Sequence, residues 1–337
     1  MMHLIPFSDA PTATSERFVP VTVISGFLGS GKTTLLRHVL SSPDASDMAV
    51  IVNEFGEVGI DHLLLANVTE DIALLESGCL CCQAGENLGR TLQELDSARQ
   101  QHGGQLSHVL IETSGLADPA PVMHALLGDP AINRRFQLRQ LITVVDGAFG
   151  IGQLAEYPES RKQAMLADQI LISKMDVATA AEIQSLQVEL DALNPLALRL
   201  PVQHGCVVVD SLLNGPCRDP AERWATLGSS GPTHSKAGVG SESLVIGEAL
   251  DWRRFSEWLS AFLHARGDDV LRVKGMLNVA GESSPVVIDG IQQVFYAPQK
   301  LPGWPDCSRD SRLVVIARHL PPGAVRRSLL ASLAGGL

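Results

Sequence analysis

Eight residues near the N-terminus, Gly26-Phe-Leu-Gly-Ser-Gly-Lys-Thr33, leave few folds open to this 337-residue chain. They match GxxxxGK[ST]. The β-branched run Val19–Ser25 precedes them, and Lys32–Leu40 follows as a helical pattern with Leu35, Leu36, Val39 and Leu40 on one side. A glycine-rich turn between strand and helix lets successive backbone N–H groups curl around an anion. Gly26, Gly29 and Gly31 supply that freedom, with Ser30 and Thr34 in the same loop-to-helix contact set. Lys32 brings a point charge to the β- and γ-phosphates, and the Thr33 hydroxyl is a ligand for Mg²⁺. The plain alternative, a ligand-free turn, is disfavoured because both flanks have the required pattern.

Further apolar runs recur along the chain at Met48–Val52, Ile72–Leu75, His108–Ile111, Leu141–Val145 and Gln169–Ile172. Several are separated by helix-like stretches, such as Asn87–Gln101 with Leu88, Leu92 and Leu95. Strands that are apolar throughout, alternating with helices, predict an α/β domain with a mostly parallel sheet covered by helices on both faces. Hydrophobic residues make up 45% of the chain, enough for a sizeable core, and the length suits about two domains. The expected division is a loose arm at 1–18, a nucleotide-binding domain at 19–227, a flexible Gly/Ser-rich linker at 228–243 and a small α+β domain at 244–337. In that last domain Asp251 is placed to cap a helix bearing Phe255, Trp258, Leu259, Phe262 and Leu263.

The formal net charge of −11 argues against nucleic-acid or anionic-membrane binding, both of which need a cationic surface. No apolar run approaches the roughly 18 residues needed to cross a bilayer. The opening MMHLIPFSDAPTATSERF lacks the order of a secretory signal, so a cytoplasmic setting is expected.

Two segments complete a nucleotide site. Val109-Leu-Ile-Glu112-Thr-Ser-Gly115 is an apolar strand ending in a carboxylate. Glu112 is placed to hold the Mg²⁺ water shell, and Gly115 to donate its N–H to a γ-phosphate. Ile170-Leu-Ile-Ser173-Lys174-Met-Asp176 is again a strand followed by a polar turn. An aspartate there accepts from both guanine N1–H and N2–H₂, whereas adenine offers a mismatched edge. Two such bonds at roughly 1.5–3 kcal/mol each favour GTP by about a hundredfold or more. An ordinary solvated turn is the competing reading of SKMD.

Six cysteines are too few for a disulfide scaffold, but Cys79, Cys81 and Cys82 are clustered after the run Ile72–Leu75, in an expected loop. Three soft thiolates select Zn²⁺, Co²⁺ or Cu⁺ over Mg²⁺. A Cys79/Cys82 redox pair and buried inert thiols stay open beside the metal reading. Upstream, the polar stretch Asn53–Asp61 follows the second strand, where nucleotide switches lie. Its acids, Glu54 among them, either sense the nucleotide, donate a metal ligand or are solvated surface charges.

Together, GFLGSGKTT (Gly26–Thr34), NEFGEVGID (Asn53–Asp61), GCLCC (Gly78–Cys82), ETSGLADP (Glu112–Pro119) and SKMD (Ser173–Asp176) resemble the CobW-like family of P-loop GTPases. The tail from about Ser243 is similar to that family's C-terminal domain. The resemblance implies a slow GTPase metallochaperone that binds a divalent transition metal, Zn²⁺ or Co²⁺, at CxCC and delivers it to a client metalloenzyme or cofactor-assembly protein. Lys32, Thr33 and Glu112 are then the catalytic and Mg²⁺ residues. Ser173, Lys174 and Asp176 hold the base, and Cys79, Cys81, Cys82 and Glu54 are candidate metal ligands. A nucleotide-dependent homodimer is consistent with this reading. A second reading is a GTP-dependent activator of one metalloenzyme, of the nitrile-hydratase-activator type, with the metal site peripheral. The chain departs from the family pattern in three places. Only His234 lies in the linker, Val287–Tyr296 lacks the usual histidines, and Ser173 stands where Asn is commoner, which implies a weaker brace for the base loop.

Overall fold

The computed structural model describes residues 18–45, 47–52, 72–74, 80–213, 233–234, 239–304 and 307–334. Two compact units are present. One comprises Glu16–Val188 with Ala197–Asp219, and the other contains Pro220–Leu337.

Among the described residues the first unit is built on seven strands: β1 Val19–Gly26, β2 Met48–Val52, β3 Ile72–Leu74, β4 His108–Glu112, β5 Phe136–Asp146, β6 Gln169–Ser173 and β7 Leu198–Pro201. They lie in the order β3-β2-β4-β1-β5-β6-β7, and every pairing is parallel. Strands β2, β4 and β6 are buried along their whole length, which requires cover on both faces and explains their unbroken apolar character. The helix α1, Lys32–Leu40, lays Leu35, Leu36, Val39 and Leu40 on a core that includes Ile24, Leu110, Ile142, Val144 and Leu171. All seven strands run the same way, so the loops following β1, β4 and β6 emerge at one edge of the sheet. Strand β7 is a short, half-exposed edge strand ending in Pro201, a residue tolerated where no further ladder partner is needed.

The second unit is an antiparallel sheet of β8 Thr233–His234, β9 Val239–Ile246, β10 Val270–Leu277, β11 Val286–Ile291, β12 Val294–Phe295, β13 Gln299–Lys300 and β14 Ser311–Arg318. The helices Trp252–Arg266 and Ala324–Leu333 supply Phe255, Trp258, Leu259, Phe262, Leu263, Val325 and Leu329 to its core. Asp251 accepts a hydrogen bond from the Arg254 N–H and caps the first of these helices. Part of the stretch expected to be linker is strand: β9 starts at Val239 and pairs with β14 from Val239↔Arg318 onward. A ladder is made by backbone groups, so Gly and Ser positions join it without apolar side chains of their own. Asp289, in the segment where the family pattern carries histidines, accepts two hydrogen bonds from the buried Arg272 guanidinium at 3.0 and 2.9 Å.

Candidate nucleotide site

Gly26 leaves the sheet at φ +145°. A Cβ there would lie 2.4 Å from the Val144 carbonyl oxygen, so only glycine lets the chain turn between β1 and β5. Gly31, at φ +102°, stands at the head of α1 with no side chain capping the helix. The first-turn N–H groups of α1 point toward the phosphate loop, the arrangement that helix N-termini use to bind anions. Lys32 is buried, and its ammonium donates to the Gly26 and Phe27 carbonyls at 2.8 and 3.2 Å, folding the cation over the loop. The Ser30 hydroxyl is buried and has no hydrogen-bond partner among the described residues. A glycine-headed helix start, a cation over the loop and a buried hydroxyl fit a Mg²⁺-bound polyphosphate, with Thr33 and Thr34 in the first turn of α1.

Glu112 closes β4 in register with Ile24 of β1, which puts its buried carboxylate beside the root of the phosphate loop. Thr113 follows, with its N–H on the Ile24 carbonyl at 2.9 Å and its hydroxyl donating to Ser25 Oγ at 3.0 Å. Gly115 packs so tightly that a Cβ would meet Leu28 N at 2.9 Å, so the ETSG turn rests on the phosphate-loop backbone. From the helix Pro158–Leu166, Gln163 Nε2 donates to the carbonyls of Gly115 and Ala117 at 3.1 and 3.0 Å, and Lys162 pairs with Asp118. Sequence reasoning missed Gln163 and Lys162, because no local pattern marks a helix residue that braces a distant loop.

The base loop stands on the other side. Gly31, Thr34, Leu35, Val144, Leu171, Ser173, Lys174, Asp176, Val177, Val202, His204 and Gly205 line a pocket of about 240 Å³. The three residues expected to read the base thus share a cavity with Gly31 and Thr34 of the phosphate-loop segment. Ser173, expected to brace weakly, donates to the Ser30 carbonyl at 2.6 Å. Lys174 has φ +52° and His204 φ +52°, two of the four non-glycine residues with positive φ among the described residues. The His204-Gly205 turn, also unforeseen, lies so close to α1 that a Cβ on Gly205 would sit 2.9 Å from the Thr34 carbonyl oxygen.

The cysteine cluster corrects one expectation. The helix Leu80–Gln101 begins within it, so Cys81 and Cys82 belong to a first helical turn rather than to a loop. The helical pattern set by the buried Leu88 and Leu92 extends upstream to Leu80. Cys79 and the stretch Asn53–Asp61, with Glu54, lie outside the described residues. Among the described residues no group of three or more His, Cys, Asp or Glu side chains forms a metal-holding cluster. No helix among them is long and apolar enough to cross a membrane.

Comparison with known proteins places these features in context. Residues 20–200 match the CobW/HypB/UreG nucleotide-binding domain, and residues 239–333 match the cobalamin synthesis protein cobW C-terminal domain. The zinc chaperone YjiA of Escherichia coli is 31% identical over 313 residues, covering 91% of this chain and 96% of its own. The zinc chaperone CobW of Pseudomonas aeruginosa is 32% identical, covering 94% of this chain and 92% of its own. The crystal structure of Zn(II)-bound YjiA GTPase from E. coli superimposes with a TM-score of 0.73 at 26% identity, over 94% of this chain and 99% of that one.

Proposed function

Because the chain belongs to the CobW/HypB/UreG family, with a CobW C-terminal domain appended, we propose that it is a cytoplasmic GTP-hydrolysing metallochaperone that carries zinc to a client metalloprotein. One observation carries the reading. The phosphate loop, the ETSG turn and the SKMD loop follow β1, β4 and β6, and the helix bearing Cys81 and Cys82 follows β3 of the same parallel sheet. Nucleotide and thiol segments therefore belong to one edge of one sheet. The names of the relatives, zinc chaperones, favour Zn²⁺ over Co²⁺ as cargo.

In this mechanism Lys32 and the first-turn amides of α1 would hold the β- and γ-phosphates, and Thr33 and Glu112 would hold Mg²⁺. Mg²⁺ supplies neutralisation of charge on the transferring phosphoryl group. Gly115 senses the γ-phosphate through a turn braced by Gln163, and Asn53–Asp61 responds to the nucleotide as the switch. Cys79, Cys81 and Cys82 bind zinc in one nucleotide state and release it in the other. Linkage requires zinc to tighten GTP by the same factor that GTP tightens zinc. The test is zinc affinity measured with Mg-GTP, with Mg-GDP and without nucleotide. Differing affinities support the carrier, and equal values in all three overturn it.

A further inference from the structure

The end of β5 is a platform for the base loop, although it belongs to none of the nucleotide segments. The Val145 carbonyl lies 3.3 Å from Ser173 Oγ, a minor branch of the hydroxyl's donation to the Ser30 carbonyl. The Gly147 N–H donates to the Ser173 carbonyl at 2.8 Å, and a Cβ on Gly147 would be 2.7 Å from that oxygen. Between them stands Asp146, whose carboxylate is buried. Its Oδ1 accepts from the Ala148 and Phe149 N–H groups at 2.9 and 3.0 Å, which locks the carboxylate to its own turn. Its Oδ2 accepts from Lys174 Nζ at 2.7 Å.

Both oxygens are thus committed, and the second commitment falls on a residue in an uncommon backbone state. Lys174, at φ +52°, has no glycine-like freedom, and left-handed L residues persist where the surroundings hold them. The turn it makes is closed by the Val177 N–H on the Lys174 carbonyl at 3.2 Å, and Asp176 within it lines the pocket. We propose that Asp146 is a positioning residue for purine selectivity: by tethering the Lys174 ammonium to a buried carboxylate, it holds the base loop in the shape that presents Asp176 to guanine before nucleotide arrives. The inference rests on the guanine reading of this site. It adds that selectivity is set from β5, by a residue outside the base-binding segment.

The experiment uses the full chain, freed of nucleotide, and measures affinities for GDP, IDP, ADP and tripolyphosphate in the wild type, Lys174→Met, Asp146→Asn and the double variant. Lys174→Met keeps the aliphatic stem at a half-exposed position and guards against a misfolded Asp146→Asn. The expected result is a loss of GDP affinity of about tenfold in each single variant, with a matching collapse of the GDP-to-ADP ratio. The double variant should be no worse than either single one, because both changes break the same contact. Tripolyphosphate, which has no base to read, should bind all four proteins alike. A guanine-selective wild type whose Asp146→Asn variant stays equally selective overturns this proposal alone. A wild type that binds ADP as tightly as GDP overturns the guanine reading and this proposal with it.

Discussion

The Ser173 hydroxyl donates to the Ser30 backbone carbonyl at 2.6 Å, so the loop that reads the base is tied to the loop that grips phosphate. Both groups are buried, and the bond spans two segments that share no sequence proximity. Ser173→Ala leaves the buried carbonyl without this donor, which costs about 1–2 kcal/mol. The variant should melt a few degrees lower and bind GDP several-fold more weakly. Unchanged melting and affinity would show that the tie has no energetic role.

Lys32 makes a different case, because its native contacts are replaceable and its proposed ligand contacts are not. Its ammonium donates to the Gly26 and Phe27 carbonyls of the loop it covers, at 2.8 and 3.2 Å. Lys32→Met keeps the length and apolar stem, so the fold should survive with a stability change of about 1–2 kcal/mol or less. Phosphate release from GTP should fall about a hundredfold or more, since a fixed cation at developing phosphoryl charge is worth that much. Circular dichroism and a phosphate-release assay separate the two effects. Hydrolysis at the wild-type rate would remove Lys32 from the chemistry.

How much of this was legible in the sequence depends on the range over which each feature is encoded. The phosphate loop, the ETSG turn and SKMD are local strings whose residue types are dictated by phosphate and base chemistry, and the structure brings all three to one sheet edge. The buried strands were legible because burial on both faces leaves an unbroken apolar run, as in Met48–Val52. Strand β7 was not, since half-exposed Arg199 and Pro201 carry no such signal. Val239–Ser243 read as linker because its strand pairing uses backbone groups that every residue has. Asp146, Gln163 and His204 were invisible for a further reason. Each acts on a segment far along the chain, and one sequence has no record of which segments meet.

His108 gives the protein a predictable acid response. It is buried in β4, with Nε2 2.8 Å from Thr22 Oγ1. Burial disfavours the imidazolium, and the nearby Arg139 adds to this, so its pKa is lowered to about 4. The unfolded chain takes up that proton near pH 6.5, whereas the folded chain resists it until about pH 4. Stability from this group is therefore full above pH 6.5 and declines as pH falls to about 4, by about 3 kcal/mol in total. Denaturant midpoints at pH 7.5 and 4.5 should differ more in the wild type than in His108→Gln. Equal pH dependence in the two proteins would mean that His108 is not held neutral.

In the C-terminal unit the Gly/Ser-rich start of β9 fixes the last helix. Gly323, at the head of Ala324–Leu333, has no capping side chain. The cap comes instead from β9: the buried Glu242 carboxylate accepts from the Val325 and Arg326 N–H groups at 3.2 and 2.9 Å. A negative charge at a helix N-terminus also matches the helix dipole. Glu242→Ala removes both effects and should cost about 1–2 kcal/mol, in line with lost N-caps elsewhere. Glu242→Gln keeps an acceptor and should recover roughly half of that. The local readout is hydrogen exchange at the Val325 and Arg326 amides, which should speed up in Glu242→Ala while Arg254, capped by Asp251, stays protected. Exchange at 325 and 326 that matches the wild type would leave the helix start held by something other than Glu242.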